Sequence, residues 1–569
     1  MSIRCGRKKV TLIWGLLECI FFSGLINGWF WMQQVLKSEE FFLDVCNTSL
    51  IRDLSDLFQK YNTHDMPSPP RSDTSGLTYR RKCVYRRKDN NEIITMLPTT
   101  TEVNFMTVLA HKMNISEDIF CKEQDERLGL LQSVVIIARN VLALPVGIFL
   151  DHYGTTKTRL LSVVFFVIGS LMMTFSSKDF PWLVIPAMTL LSVAGFAILL
   201  TNLQMSNLFG PRRYTAMSSY VGAFYTGSIT LLCMEMTNYA GIIDFQTSFM
   251  FITVGVVPIL VSSIAFLPKS RVPWPLPTDY GKNRYGGMEK DYNSQPSAWQ
   301  RRISAGAKSR KDAPKILPVL RSPMYVWSVL WCCILNLKTI ASEANTPVHL
   351  RYLGADNETA TTYFKLYYQI LLLALPFSPV FGIVMDWRKR FVADVRVEQM
   401  QNIQHALAVT VVLSVCSTIT AMVPVLNIQA ITFIFLMAEK VAMLASMFAF
   451  YTHIHFPNEL LGKLTGIALM SSGIFSLLHF PLREFIRVPL RDDPFYVNLI
   501  LLLLLVVSMG HPVCVWYHCK LNLIGDACSQ DMEHIPVTLI IEEEPSRTEN
   551  KMVPSTTLDE KTGLQITDL

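Results

Sequence analysis

Two short segments of the chain place a glycine, an aspartate and cations directly after a long apolar run, a combination that could hold helix ends together. The first consists of Gly147, Asp151, Gly154, Lys157 and Arg159, and its partial copy consists of Gly382, Asp386 and Arg388. A carboxylate accepts hydrogen bonds from a helix N-terminus, cations form ion pairs, and glycine allows close helix contact. One copy in each half predicts a duplicated membrane carrier with a cytoplasmic gate here, and an ordinary turn is the alternative.

Charged and amide side chains inside the apolar runs are the first candidates for contact with a solute, because such groups are costly in a bilayer and face a cavity or a partner. These candidates are Glu18, Arg139, Asn140, Asn336, Lys338, Glu439 and Lys440. Glu18 could instead pair with a cation. Glu439 and Lys440 are adjacent, so they lie about 100° apart on a helix and could point in different directions.

Two kinds of solute would need different surroundings. A flat aromatic solute would need aromatic walls with a few polar groups, for which Tyr225, Tyr367 and Gln369 are candidates. A zwitterionic solute would need a broken helix and a cation, and Gly24, Asn27 and Gly28 could loosen the first helix. Packing or a place at the membrane interface is the alternative role for each aromatic residue.

Long apolar runs must position these residues. Half of the residues are hydrophobic, 17% are charged, and the mean hydropathy is +0.31. The runs have about 18 to 25 residues, which spans a hydrocarbon core of roughly 30 Å. They are 10–34, 129–150, 160–177, 181–203, 217–237, 247–267, 324–347, 363–385, 403–424, 429–454, 464–482 and 495–517. Alternating segments of a β-barrel are absent, so we predict an all-α membrane protein with twelve transmembrane helices in two pseudo-symmetric six-helix bundles.

The predicted regions follow from these runs and the charges between them. They are a cytoplasmic N-terminus (1–9), a first bundle (10–267) with an extracellular loop (37–127), a basic cytoplasmic linker (268–323), a second bundle (324–517) and an acidic, disordered cytoplasmic tail (518–569). The linker holds twelve Lys and Arg against four Asp and Glu, and the tail four against ten. Short-loop cations place both termini in the cytoplasm. The net charge of +6 comes mostly from the cations on the cytoplasmic side, which set the topology, and it indicates no nucleic-acid partner.

Sequons and cysteines add to this topology. Asn47, Asn114 and Asn357 begin glycosylation sequons, and all three fall on the predicted outer side. This placement favours the plasma membrane. Cys46 and Cys121 lie at the two ends of the first outer loop and are predicted to form a disulfide, because that side is oxidising. No Cys or His spacing resembles a zinc site, and no cofactor is expected.

The first Gly-x-x-x-Asp segment resembles the signature of the major facilitator superfamily in the loop after helix 2. Further stretches look like the solute carrier 43 family across nearly the whole membrane domain. They are Gly15–Cys19, Cys121–Arg127, Thr201–Gln204, Asn207–Gly210 and Asp493–Asn498. That family includes facilitative large-neutral-amino-acid transporters and an equilibrative nucleobase transporter. Thr201–Gln204, Val272–Pro277 and Asp493–Asn498 look closer to the nucleobase member.

The resemblance implies facilitated, sodium-independent transport of a small molecule, and we expect a purine nucleobase carried by a monomeric unit. Large neutral amino acids are the main alternative, and a non-transporting membrane sensor is a second one. Glu18 or Glu439 could couple protons, although Arg139 or Lys440 could neutralise either carboxylate. The chain contains no Gly-x-x-x-x-Gly-Lys-Ser/Thr loop for ATP and no cluster of catalytic residues, so we expect neither a pump nor an enzyme.

Overall fold

The computed structural model describes residues 2–42, 122–265, 272, 274, 316–387, 395–453 and 456–533. Within this part the regular structure is helical throughout. Residues Met1–Lys520 form one compact unit, and Leu521–Leu569 form another. The predicted Cys46–Cys121 disulfide, the sequons at Asn47 and Asn114, the side chain of Asn357, Arg388 and nearly all of the linker lie outside the described residues and stay predictions.

The helices of the first half of the chain are α1 (Ser2–Glu18), α2 (Trp29–Ser38), α3 (Lys122–Tyr153), α4 (Thr155–Thr174), α5 (Val184–Met205), α6 (Arg213–Thr226), α7 (Ile229–Tyr239), α8 (Phe245–Val254) and α9 (Val257–Ala265). Those of the second half are α10 (Ile316–Leu320), α11 (Pro323–Tyr352), α12 (Asn357–Leu371), α13 (Ala374–Asp386), α14 (Val395–Met422), α15 (Gln429–Tyr451), α16 (Leu461–Phe475), α17 (His479–Arg487), α18 (Phe495–Ser508) and α19 (Gly510–Glu533).

Nine described helices are long and apolar enough to cross a membrane, and the number becomes eleven if each of two bent pairs is one span. The bent pairs are Lys9–Ser23 with Leu25–Ser38, at 54°, and Glu358–Leu371 with Ala374–Asp386, at 49°. One of the nine stretches, Pro181–Tyr239, has 59 residues, whereas about 20 suffice for one crossing. Gly210 breaks this stretch with φ 57° and ψ −110°. If the stretch is counted as two spans divided at Gly210, the number of spans rises from eleven to the predicted twelve.

Several helix ends coincide with residues that favour them. Ser322 accepts a hydrogen bond from the backbone of Tyr325 at 3.3 Å, and Pro323 follows it as the first helical residue of α11. Asp356 caps α12 in the same way. Gly154 separates α3 from α4 with a φ of 80°, which is in the region that favours glycine. The local sequence therefore determines where these helices start and stop.

The two halves of the chain meet mainly along two pairs of helices, α3 with α16 and α6 with α13. Glycines lie where the backbones approach most closely. A Cβ on Gly147 would lie 2.0 Å from the carbonyl oxygen of Gly462, and one on Gly382 would lie 2.3 Å from the Cα of Thr215. Side chains larger than hydrogen do not fit there, so both glycines of the repeated segment serve as helix contacts.

Candidate functional site

The Asp151 carboxylate at the end of α3 caps a helix from the other half of the chain. Its two oxygens accept hydrogen bonds from the backbone N–H groups of Gly462 at 2.9 Å and Lys463 at 2.7 Å. Both donors belong to the first turn of α16, where N–H groups have no partner within the helix. A negative charge at that position also interacts favourably with the helix dipole.

Asp386 repeats this arrangement at the end of α13. It accepts hydrogen bonds from the backbone N–H groups of Tyr214 at 3.2 Å and Thr215 at 2.7 Å, and from the Thr215 hydroxyl at 2.7 Å. These donors lie in the first turn of α6, in the opposite half. The helix ends joined by Asp151 and Asp386 are called the aspartate end below. The two sequence segments therefore make the same contact, in which an aspartate of one half caps a helix of the other half.

The cations of the first segment do not meet at these caps. Lys157 is exposed, and its ammonium lies 5.2 Å from the centroid of the Tyr153 ring. Arg159 is fully buried and pairs with Glu18 at 2.5 Å. The structure therefore does not bring Arg159 to the gate for which it was a candidate. It confirms instead the alternative in which Glu18 pairs with a cation.

The Glu18–Arg159 pair is satisfied by hydrogen bonds inside the first half. Arg159 donates to Asn202 at 2.8 Å and to Ser263 at 2.8 Å, and Ser262 donates to Glu18 at 2.5 Å. A buried ion pair needs such additional partners to offset desolvation. The network joins α1, α4, α5 and α9, so we place Glu18 among the groups that hold this half together.

A second buried pair occupies the other half. Lys338 on α11 lies 2.5 Å from Glu439 on α15, and the two side chains are 1% and 0% exposed. Ser414 and Ser417 also donate to Glu439, at 2.7 and 3.0 Å. Glu18 and Glu439 are thus both neutralised, but by Arg159 and Lys338 instead of Arg139 and Lys440, so the predicted partners are wrong.

A third ion pair lies where the halves meet. Lys440 pairs with Glu343 on α11, and the Tyr367 hydroxyl donates to the same carboxylate. The Lys440 ammonium lies 5.8 Å from the centroids of both the Tyr225 and Tyr367 rings. Tyr225 belongs to α6 of the first half. Lys440 and Glu439 point to different partners, as their offset on the helix predicts.

Arg139 on α3 completes this group, and we call Arg139, Tyr225, Glu343, Tyr367 and Lys440 the central cluster. Arg139 is half-buried and interacts electrostatically with Tyr225 and Glu343. Among the described residues, no carboxylate lies within ion-pair distance of its guanidinium.

The nearest polar partner of Arg139 is Asn140, whose side-chain oxygen accepts from Nη2 at 3.1 Å and from Nε at 3.3 Å. Asn140 is 2% exposed, and its amide nitrogen has no hydrogen-bond partner in the described part of the chain. Buried donors are almost always satisfied in folded proteins. Arg139 and Asn140 therefore offer donors that a bound solute could use.

Two candidates lie away from this cluster. Asn336 donates to the Ser476 hydroxyl at 2.9 Å, a contact within the second half. Gln369 is exposed, because two positions along α12 from Tyr367 it lies on the opposite side of the helix. Glu343, conversely, was missed from the sequence. It is a carboxylate inside the run 324–347, so the rule that selected Lys338 would have found it.

The predicted loosening of helix 1 is also present. The helix bends by 54° at Gly24, where a Cβ would lie 1.8 Å from the carbonyl oxygen of Phe224. The Asn27 amide donates to that same oxygen at 2.8 Å. Phe224 precedes Tyr225 of the central cluster, and its ring lies 5.9 Å from the Arg139 guanidinium. The break thus packs against the wall of the cluster.

The beginning of the linker covers part of the aspartate end. Arg213 is 1% exposed, and its guanidinium lies 4.3 Å from the centroid of the Tyr214 ring and 4.2 Å from that of Trp274. Asn207 donates to the carbonyl of Val272 at 3.1 Å. Tyr214 is one of the residues that donate to Asp386. Trp274 therefore packs directly behind a helix end that joins the two halves.

These features together define a multi-pass helical membrane transporter, with interlocking caps at one end and a polar, aromatic cluster between its halves. The family model described as Major Facilitator Superfamily matches residues 93–478, and the chain belongs to that family. The all-α major facilitator fold is therefore confirmed.

Two kinds of transporter are among the named relatives of this chain. The chain is 26% identical to "Equilibrative nucleobase transporter 1" from Bos taurus, over 90% of this chain and 96% of that protein. It is 24% identical to "Large neutral amino acids transporter small subunit 3" from Homo sapiens, over 70% of this chain and 83% of that protein. These are the two kinds of transporter that the sequence resemblance indicates, so that recognition is confirmed. They give no support to a non-transporting sensor.

Solved structures of similar proteins were also found. The E. coli fucose:proton symporter FucP, solved as a single-substitution variant, has a TM-score of 0.43 and 13% identity, covering 68% of this chain and 90% of that chain. The human organic anion transporter MFSD10 (TETRAN) has a TM-score of 0.49 and 12% identity, covering 88% of this chain and 99% of that chain.

Proposed function

We propose that this transporter is an equilibrative, sodium-independent carrier of purine nucleobases. The observation that carries the proposal is the pair of donors on α3: the half-buried Arg139, which interacts electrostatically with Tyr225, and the unsatisfied amide of its neighbour Asn140. A purine presents nitrogen and carbonyl acceptors along its edge and a flat face that packs on aromatic rings. The relative named as an equilibrative nucleobase transporter supports the same solute.

One cation of the central cluster, Arg139, has no carboxylate at ion-pair distance among the described residues. Lys440 and Glu343 neutralise each other, which leaves Arg139 to orient the bound molecule. The three carboxylates buried deep in the helices, Glu18, Glu343 and Glu439, each have a cation as partner. We therefore infer that none of these three described carboxylates couples transport to protons, and that the solute gradient alone sets the direction.

Alternating access would work through the helix pairs that join the halves. The solute would bind at the central cluster, and one six-helix half would rock on the other. Opening the aspartate end requires the Asp151 and Asp386 caps to break, and hydrogen bonds to charged groups contribute about 1.5 to 3 kcal/mol each. We propose that these caps are the cytoplasmic gate of a monomeric carrier in the plasma membrane, with both termini in the cytoplasm and no enzymatic step.

Uptake of labelled adenine and labelled leucine in the same transfected cells tests this proposal. We expect saturable adenine uptake that is lost in Arg139→Ala, while the amount of protein at the cell surface stays unchanged. Leucine uptake without adenine uptake would contradict the proposed solute. An unchanged adenine flux in Arg139→Ala would contradict the proposed site.

Large neutral amino acids are the second candidate, and the break in helix 1 favours them. A broken helix beside a cation is a common site for the carboxylate of a zwitterion, and Gly24 places such a break against Phe224, next to Arg139. The relative named as a large neutral amino acids transporter supports this alternative. The same uptake assay separates the two, because in this case Arg139→Ala would abolish leucine uptake.

A further inference from the structure

A cleft of about 270 Å³ lies at the opposite end of α3 from Asp151, and its charge is unbalanced. Four arginines line it, together with two acidic side chains: Arg351, Arg483, Arg487 and Arg491, with Glu126 and Asp492. Glu126 is near the start of α3 in the first half, whereas all four arginines belong to the second half. The cleft therefore carries an excess of positive charge, and it lies at a junction of the two halves.

Within the described part of the chain, only Arg487 of these four arginines has an ion pair. Arg487 lies 3.0 Å from Glu126. Arg351 donates to the backbone carbonyl of Pro347 at 3.3 Å. Arg483 is half-buried; it is attracted by Glu126 and Glu484 and repelled by Arg487 and Arg351. Like charges held together in a partly desolvated cleft are unfavourable unless an anion neutralises them.

The turn after α17 directs two of these residues to the cleft in an uncommon backbone conformation. Arg491 has a φ of 51° and Asp492 a φ of 67°, although neither residue is glycine. The N–H of Asp492 donates to the carbonyl of Ile486 at 2.9 Å, which holds the turn closed. Strained residues of this kind are concentrated at ligand sites, where the surroundings enforce them. The turn thus presents Arg491 and Asp492 to the cleft.

We propose that this cleft is a binding site for a phosphate oxyanion, separate from the central cluster. Guanidinium groups bind phosphate oxygens through paired hydrogen bonds, and several arginines around one cleft are the usual arrangement for such a ligand. The phosphate would come from a free phosphate species or from the headgroup of a phospholipid. Because the Arg487–Glu126 pair joins the halves at this end, an anion that binds Arg487 competes with that contact.

The test uses the full-length protein purified in detergent and its thermal unfolding midpoint, with inorganic phosphate as the probe and chloride holding the ionic strength constant. We expect phosphate to raise the midpoint in a saturable way. Arg483→Gln and Arg491→Gln should each weaken the apparent phosphate affinity by about tenfold or more. Arg212→Gln, an exposed arginine just before α6, is the matched control and should behave like the unchanged protein.

Two further arms separate the sources of phosphate. In nanodiscs, adding phosphatidylglycerol to phosphatidylcholine should raise the midpoint and remove the response to inorganic phosphate if a lipid headgroup is the ligand. If a free species is the ligand, phosphatidylglycerol should leave that response unchanged. Absence of a saturable response to both probes would overturn the proposal, as would equal responses in Arg483→Gln, Arg491→Gln and the control.

Discussion

Lys440 and Tyr225 come from different halves of the chain, yet the Lys440 ammonium lies 5.8 Å from the centroid of the Tyr225 ring. The ammonium is held there by Glu343, which also accepts the hydroxyl of Tyr367. Cation–π contacts of this kind are worth about 0.5 to 2 kcal/mol. Any movement that separates the halves here must break this contact, so the proposed solute site lies where the two halves touch.

Arg139→Lys should lower nucleobase uptake by about tenfold or more, because lysine keeps the charge but loses the planar fork of donors. Labelled adenine uptake, normalised to protein at the cell surface, measures the effect. Gln369→Ala is the matched control, since this exposed amide lies outside the central cluster. Equal losses in the two variants would show that the assay reports general damage.

Glu343→Gln and Lys440→Met should each destabilise the protein by about 3 to 5 kcal/mol, because each leaves an unpaired charge in a buried site. The double variant should be more stable than either single variant. Thermal unfolding of the purified proteins provides this double-mutant cycle. If the stability losses of the two single variants simply add in the double variant, the residues do not form an ion pair in the membrane.

Gly147→Ala should prevent closure of the aspartate end, because its Cβ would overlap the carbonyl oxygen of Gly462 at 2.0 Å. We expect transport to fall sharply and the end near Asp151 to become more accessible to a water-soluble thiol reagent, read out through a cysteine placed by Lys463→Cys. Gly129→Ala on the same helix is the control, since a Cβ there has no neighbour within 4 Å among the described residues. Similar effects at both glycines would contradict the explanation by close helix contact.

Trp274→Ala should lower the unfolding midpoint and alter the transport rate, because it removes one of the two rings that enclose Arg213 behind the Asp386 cap. The lost cation–π interaction corresponds to about 0.5 to 2 kcal/mol. Trp516→Ala serves as the comparison, because Trp516 is exposed and its ring lies 5.4 Å from the Lys520 ammonium. A change in Trp516→Ala as large as that in Trp274→Ala would contradict a specific role of Trp274 at the aspartate end.

Adenine uptake into proteoliposomes should end at equal concentrations inside and outside. Inward gradients of protons or sodium should leave this end point unchanged, because Glu18, Glu343 and Glu439 are each paired with a cation. The measurement is the internal concentration at the plateau, with an imposed pH or sodium gradient and without one. Accumulation above the outside concentration would show coupling and contradict the equilibrative mechanism.

The sequence alone determined the elements of this protein and its family. Apolar runs of membrane-spanning length, and caps such as Ser322 and Asp356, depend on neighbouring residues only, so they can be read locally. The repeated Gly-x-x-x-Asp segments indicated helix contacts, and close packing at Gly147 and Gly382 confirms them. The place of Arg139 inside an apolar run was also evident, because it follows from position along the chain.

Only the tertiary structure decided which charges meet. Arg159 is 141 residues from its partner Glu18, and Lys338 is 101 residues from Glu439. The rotation of each helix about its axis, set by packing against all its neighbours, determines such partners. The same packing turns Gln369 outward and brings Glu343 to Lys440. A local pattern places a polar residue in the membrane, but the partner it finds there depends on how the helices pack.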